Sequence, residues 1–208
     1  MERITPNTEG IQSVEELYTA YWLEELKDAG YVKEFTLQPA PFKLADAVVY
    51  DWIKNTSTKT IKNRFEEKES NMLEAIEYTA DAHVIWDISA MNLFFTIDKP
   101  RDNKCKLIIA HIGFSGDAYS YIEVKPIFDQ QNMEREFKIK QKWIYQKYKI
   151  FINLVVPQKF FPHNFTPKMC IDTMIYVKTT NTKRGMKRPG DSKITWKVNT
   201  LNEYINGK

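Results

Sequence analysis

Cysteine is nearly absent from this chain: Cys105 and Cys170 stand alone among 208 residues, far apart in sequence. With only three histidines beside them they form no zinc-type spacing, and a disulfide framework is excluded. Glycine is also scarce, at seven residues, and 43% of the chain is apolar, which points to an ordered globular protein. No apolar run approaches the ~18 residues of a membrane-spanning helix. Residues 1–6 lack the basic-then-apolar pattern of a secretory leader. These absences lead to an expectation of a cytoplasmic protein with reduced thiols and no membrane contact. Also missing are a Gly-rich phosphate loop, a dinucleotide fingerprint and a nucleophilic Ser/His/Asp set.

Charge is present and unevenly placed. The net charge is +3, yet residues 138–208 carry fifteen Lys/Arg against Asp172, Asp191 and Glu203, a net of +12. Residues 1–137 therefore carry −9. A basic half beside an acidic half suits an enzyme that grips a polyanion with one region and gathers carboxylates in the other. Surface charge for solubility explains much of this composition but not its segregation.

Tyr121-Ile122-Glu123-Val124-Lys125 reads as a strand, since its residues alternate and are β-branched or aromatic. Side chains two apart share a face, so Glu123 and Lys125 lie on one side and Val124 turns into the core. Upstream, Tyr78-Thr79-Ala80-Asp81 leads into a second strand over 79–88, with Asp81 near its start. A carboxylate joined by a second one suits a hard divalent cation, and an adjacent ammonium suits the orientation of a water. His83, two residues after Asp81, reads as a solvated or hydrogen-bonded histidine.

Residues 13–29 predict a helix, with Val14, Leu17, Tyr18, Trp22 and Leu26 on one stripe and Gly30 as its stop. Ser13 and Glu16 form a capping box; Glu16 also lies beside the apolar stripe, so a cap and a site residue are both open to it. Residues 32–44 predict a strand pair interrupted by Pro39 and Pro41, and 54–77 a polar insertion with a helix over 61–73. Residues 93–97 and 107–110 read as an extra hairpin. A basic amphipathic helix follows over 134–149, with Lys140 and Gln141 near its inner stripe, where they need polar partners unless Lys140 snorkels outward. Residues 151–156 form a buried strand, 171–178 a further strand, and 179–193 a basic loop carrying Lys183, Arg184, Lys187 and Arg188.

In order along the chain stand Glu16 on a helix, Gln38-Pro39 on a strand, Tyr78-x-Ala80-Asp81, and Glu123-Val124-Lys125. This succession resembles the PD-(D/E)XK nuclease superfamily, in particular its phage-encoded junction-resolvase-like and head-completion-nuclease-like members and transposase-type endonucleases. Pro126, in place of the usual glycine, also occurs in the head-completion members. The resemblance implies an α/β fold with a restriction-endonuclease-like mixed central sheet flanked by helices, here with an extra hairpin insertion. It implies a nuclease domain over 13–178, preceded by an arm (1–12) and followed by a basic extension (179–208). Asp81, Glu123, Lys125 and Glu16 are then the catalytic candidates, with Mg²⁺ or Mn²⁺ on Asp81, Glu123 and the Val124 carbonyl. Gln38, Lys140 and Gln141 become supporting or phosphate-contact residues, and Lys142, Lys183, Arg184, Lys187 and Arg188 contact nucleic acid. The implied function is metal-dependent DNA cleavage in recombination, junction resolution or packaging, in a host cytoplasm. The partners would be DNA, phage packaging or recombination proteins, and a second copy for a two-strand cut. The alternative is a non-catalytic assembly or DNA-binding protein on the same fold.

Overall fold

Ser13 starts the first helix: its hydroxyl accepts from the Glu16 backbone N–H at 3.2 Å, while Glu16 accepts from the Ser13 hydroxyl and the Gln12 backbone N–H, each at 2.9 Å. The helix, α1 (Val14–Asp28), ends where Gly30 takes φ +82°. There Gly30 N–H donates to the Lys27 carbonyl and Tyr31 N–H to the Leu26 carbonyl, closing the last turn in the left-handed manner that glycine permits. The computed structural model describes residues 11–61, 64–98, 107–126, 130–171, 176–177, 193–194 and 199–207.

The strands β1 (Val32–Leu37), β2 (Phe42–Ala45), β3 (Val48–Asn55), β4 (Phe65–Leu73), β5 (Ile76–Tyr78) and β6 (Ala82–Trp86) follow. Next come the short β7 (Phe95–Thr96), β8 (Ile108–Ile109) and β9 (His111–Ile112), then the central β10 (Ala118–Val124). Helix α2 (Gln130–Tyr148) crosses over to β11 (Ile152–Val155). A short α3 (Pro157–Phe160), a small β12–β13 pair (Tyr176–Val177 with Lys193–Ile194) and α4 (Leu201–Asn206) complete the described elements.

The main sheet runs β1-β6-β10-β11, with β9 added beside β10. Its pairs are antiparallel except β10 with β11, which α2 connects as a parallel crossover. The protein is thus a mixed α/β fold around a mostly antiparallel sheet. Alternation along β10 and β6 sends Ala118, Ile122, Val124, Val84 and Trp86 to one face, where they pack with Trp22, Leu23 and Leu26 of α1. Leu201 and Tyr204 of α4 join that same core, so the end of the chain is built into it. On the opposite face, Tyr121 and Ile152 pack with Phe42, Tyr78, and Phe137 and Ile144 of α2. The buried Trp22 and Trp86 indoles are satisfied, donating to Asn164 Oδ1 at 3.1 Å and Ser120 Oγ at 2.8 Å.

Three expectations need correction. Residues 65–73 are not helical: they form β4, paired residue by residue with β3 into a long two-stranded ribbon. Their own sequence lacks an apolar stripe of either period, and the β-branched and aromatic run of β3 imposes the extended state. Residues 93–97 and 107–110 do not form a hairpin either, because β7 and β8 run parallel. That arrangement buries Phe94, Phe95, Ile108 and Ala110 together in the α1-side core. Helix α2 starts at Gln130, one turn earlier than residue 134. Of the strand expected over 171–178, Ile171 instead closes a helical turn and Tyr176–Val177 is extended, the others lying outside the described residues; so do Lys183, Arg184, Lys187 and Arg188 of the basic loop. Among the described residues no helix is long and apolar enough to cross a membrane.

Candidate active site

The register of the central strands decides which carboxylates meet. Ala82 is paired with Ile122 and His83 with Tyr121 in an antiparallel ladder that ends there, leaving Asp81 just outside β6 beside residues 122–124 of β10. Past the last pair the Asp81 N–H donates to the Ile122 carbonyl at 3.0 Å, one residue off the register of the ladder. The two acids, Asp81 and Glu123, both lie at the carboxyl-terminal end of β10. Lys125, two residues beyond Glu123, is anchored by its backbone N–H to the Val155 carbonyl of β11 at 2.9 Å.

Glu123 is 6% exposed, and each of its two oxygens has one partner. Tyr78 donates its phenol to Oε2 at 2.5 Å, and the Lys125 ammonium stands 2.5 Å from Oε1. These are charge-assisted contacts in a poorly solvated place, where such bonds are strongest. Burial and the neighbouring Glu123 charge push the Tyr78 phenol far above its usual range, so it stays a hydrogen-bond donor. Around this pair lies a cleft of about 100 Å³ bounded by Tyr78, Glu123, Lys125, Glu136, Phe137 and Lys140. That is room for about three waters. Lys140 reaches the cleft from α2 while pairing with Glu136 at 2.5 Å.

Asp81 turns the other way, into a narrow cleft shared with Glu16, Thr19, Gln38 and Val124. Its Oδ2 accepts from the Val124 backbone N–H at 2.6 Å, and Oδ1 faces the Gln38 amide at a long 3.5 Å. Gln38 is held there in the left-handed region, φ +49°, by its own N–H donating to the Asp81 carbonyl at 3.0 Å. A non-glycine residue in that region is strained by about 1 kcal/mol, a cost concentrated at functional positions in folded proteins. Burial, then the charge of Glu123, push the Asp81 carboxyl up to about 7; Glu16 adds to the rise, while the Val124 N–H and Lys125 oppose it.

Several expected residues therefore assemble, in two adjoining clusters. Asp81, Glu16, Gln38 and Val124 line one cleft, and Glu123, Lys125 and Lys140 the other. Glu16 both caps α1 and faces Asp81. Gln141 departs from its expected place: its amide oxygen accepts the Ile152 N–H at 2.9 Å, tying α2 to the start of β11. Lys142 is exposed on the outer side of α2. His83 stacks on Tyr121, with ring centroids 4.6 Å apart, and burial lowers its pKa. Tyr78 and Glu136 were not singled out as site residues from sequence. Tyr78 had a visible signal, since it opens the Tyr78-x-Ala80-Asp81 block, whereas Glu136 is one acid among many on a charged helix.

Among the described residues no three His, Cys, Asp or Glu side chains converge closely enough to hold a metal ion between them. The donor set nevertheless fits a hard cation: the half-buried Asp81 feels the charge of the buried Glu123 and is left with a raised pKa. Magnesium completes its shell with waters and substrate oxygens and needs only one or two protein carboxylates.

Replacing Tyr78 by Phe leaves Glu123 Oε2 buried without its donor. The expected cost is about 1–3 kcal/mol, read from urea denaturation.

No family model, curated protein or solved structure gives a match to this chain.

Proposed function

We infer that the protein is a divalent-metal-dependent endonuclease hydrolysing phosphodiester bonds in DNA, on a restriction-endonuclease-like fold, as its resemblance to the PD-(D/E)XK superfamily implies. The observation that carries the reading is that Asp81, tied to Ile122 and Val124 on either side of Glu123, lies within reach of the Glu123 charge, with Lys125 ion-paired to Glu123. Chance charge alternation on a strand explains Glu123 and Lys125 but not a second, half-buried carboxylate close enough for the Glu123 charge to raise its pKa. The element order supports it too: helix with Glu16, strand ending at Gln38, strand entered by Asp81, strand with Glu123, then a helix bringing Lys140 to the cleft.

Asp81 and Glu123, with the Val124 carbonyl, would hold Mg²⁺ or Mn²⁺. Bound there, the ion supplies Lewis-acid polarisation of the scissile phosphate and a water of lowered pKa. Lys125 places an ammonium beside the reacting phosphorus, where it offsets the negative charge that grows in the transition state. Tyr78 fixes the Glu123 carboxylate so that it need not reorganise. Gln38 and Glu16 bound the Asp81 side of the site. Lys140, paired with Glu136 beside the cleft, is the cation of α2 placed to contact a phosphate there.

Supercoiled plasmid and a synthetic four-way junction, each incubated with Mg²⁺ or Mn²⁺, test the proposal. Cleavage that stops with chelator and in Asp81→Asn protein is expected, and the preferred DNA assigns the role among recombination, junction resolution and packaging. DNA binding without cleavage under either metal supports instead the non-catalytic assembly or DNA-binding reading.

A further inference from the structure

The β3–β4 ribbon is the part of the molecule that the site does not use. Eight residues of each strand are paired, and all of β3 is exposed. At ~3.3 Å per residue this is an arm about 25 Å long. An isolated two-stranded ribbon is marginal in water and needs a further surface to hold it.

Its two faces differ. Cross-strand partners point the same way, so Val49, Asp51, Ile53, Glu67, Glu69 and Phe65 share one face. Val49, Ile53 and Phe65 on it are 50%, 68% and 60% exposed. Asp51 stands directly opposite Glu69, a like-charge pair that weakens the ribbon by itself. None of the ion pairs among the described residues uses Asp51, Glu67 or Glu69. Lys54 and Lys68 lie on the other face. The acidic, apolar face thus asks for a basic, apolar partner.

The same chain carries that complement. On α2, Arg135, Ile139, Lys142 and Trp143 form one outward stripe at i, i+4, i+7 and i+8, opposite the buried Phe137 and Ile144. Ile139 is 58% and Trp143 40% exposed. Among the described residues both surfaces are exposed, and a second copy of the chain supplies the complement of each.

We propose that the protein forms a two-fold dimer in which the acidic face of each β3–β4 arm lies along the basic outer stripe of the partner's α2. Apolar contact comes from Val49, Ile53 and Phe65 against Ile139 and Trp143; Asp51, Glu67 and Glu69 meet Arg135 and Lys142. The contact is isologous and closes at two copies. Lys142 then serves the interface rather than nucleic acid. This holds whether or not the protein cuts DNA.

Sedimentation velocity on the full chain tests it, with two charge-reversed proteins. One carries Asp51→Lys, Glu67→Lys and Glu69→Lys; the other carries Arg135→Glu and Lys142→Glu. Wild type is expected to be a dimer that weakens with salt. Each reversed protein is expected to show a dimer Kd raised about 10²-fold or more, because like charges now face each other. Mixing the two restores association, since both contacts of the mixed dimer regain opposite charges. A wild type that stays monomeric at every concentration overturns the proposal. So does an arm-reversed protein that dimerises like wild type, or the absence of association on mixing.

Discussion

Asp81→Asn is expected to make the protein more stable above neutral pH while abolishing metal-dependent cleavage. In the native state burial and Glu123 hold the Asp81 carboxyl up at about 7, against 3.8 for an unperturbed group. Between those two pH values the folded protein keeps a proton that the unfolded chain has lost. Stability therefore falls as pH rises from about 4 to about 7 and is flat beyond. At pH 8 the ionised carboxylate costs about 2–4 kcal/mol, which asparagine removes while its amide oxygen still accepts the Val124 N–H. For a chain of this size the melting temperature should rise by roughly 5–10 °C at pH 8 and hardly change at pH 4. Magnesium should raise the melting temperature of wild type and leave Asp81→Asn unmoved.

The second large effect is expected at Lys125. Lys125→Met leaves Glu123 buried beside one phenol, with no cation in contact. Removing one partner of a buried pair is costly because the other charge stays behind, and here the Tyr78 hydrogen bond offsets part of it. A loss of about 2–3 kcal/mol in guanidinium denaturation is expected. The double variant Lys125→Met/Glu123→Gln should recover most of that loss, since a neutral amide needs no counter-charge and its oxygen still accepts from Tyr78. Cleavage behaves differently. Lys125→Met should lower kcat by about 10²–10³-fold through lost transition-state stabilisation, and the double variant should recover none of it. The single variant should bind Mn²⁺ at least as tightly as wild type, because a cation has been taken away from the ligands.

Much of the site was legible because its chemistry is written locally. Ser13, Glu16 and Gly30 announced both ends of α1, and alternation along 121–125 placed Glu123 and Lys125 on one side and Val124 in the core. What the sequence did not contain was the pairing register, which belongs to two segments at once. That pairing brings Asp81 beside residues 122–124 and the Tyr78 phenol onto Glu123. Residues 65–73 were misread for the same reason: Glu, Lys, Ser and Asn show no alternation, and β3 supplies the order. Gln141 shows the limit of helical periodicity, which gave its inward direction but not its partner, a backbone N–H on the following strand.

The carboxylate pair as a metal site is tested most directly by Mn²⁺ titration calorimetry on the full chain at pH 7, in two buffers of different protonation enthalpy. Saturable binding is expected, with partial proton release as Asp81 ionises, and affinity at least ~10-fold lower in both Asp81→Asn and Glu123→Gln. Absence of saturable binding to wild type, or equal binding by wild type and both variants, contradicts the assignment of Asp81 and Glu123 as metal ligands.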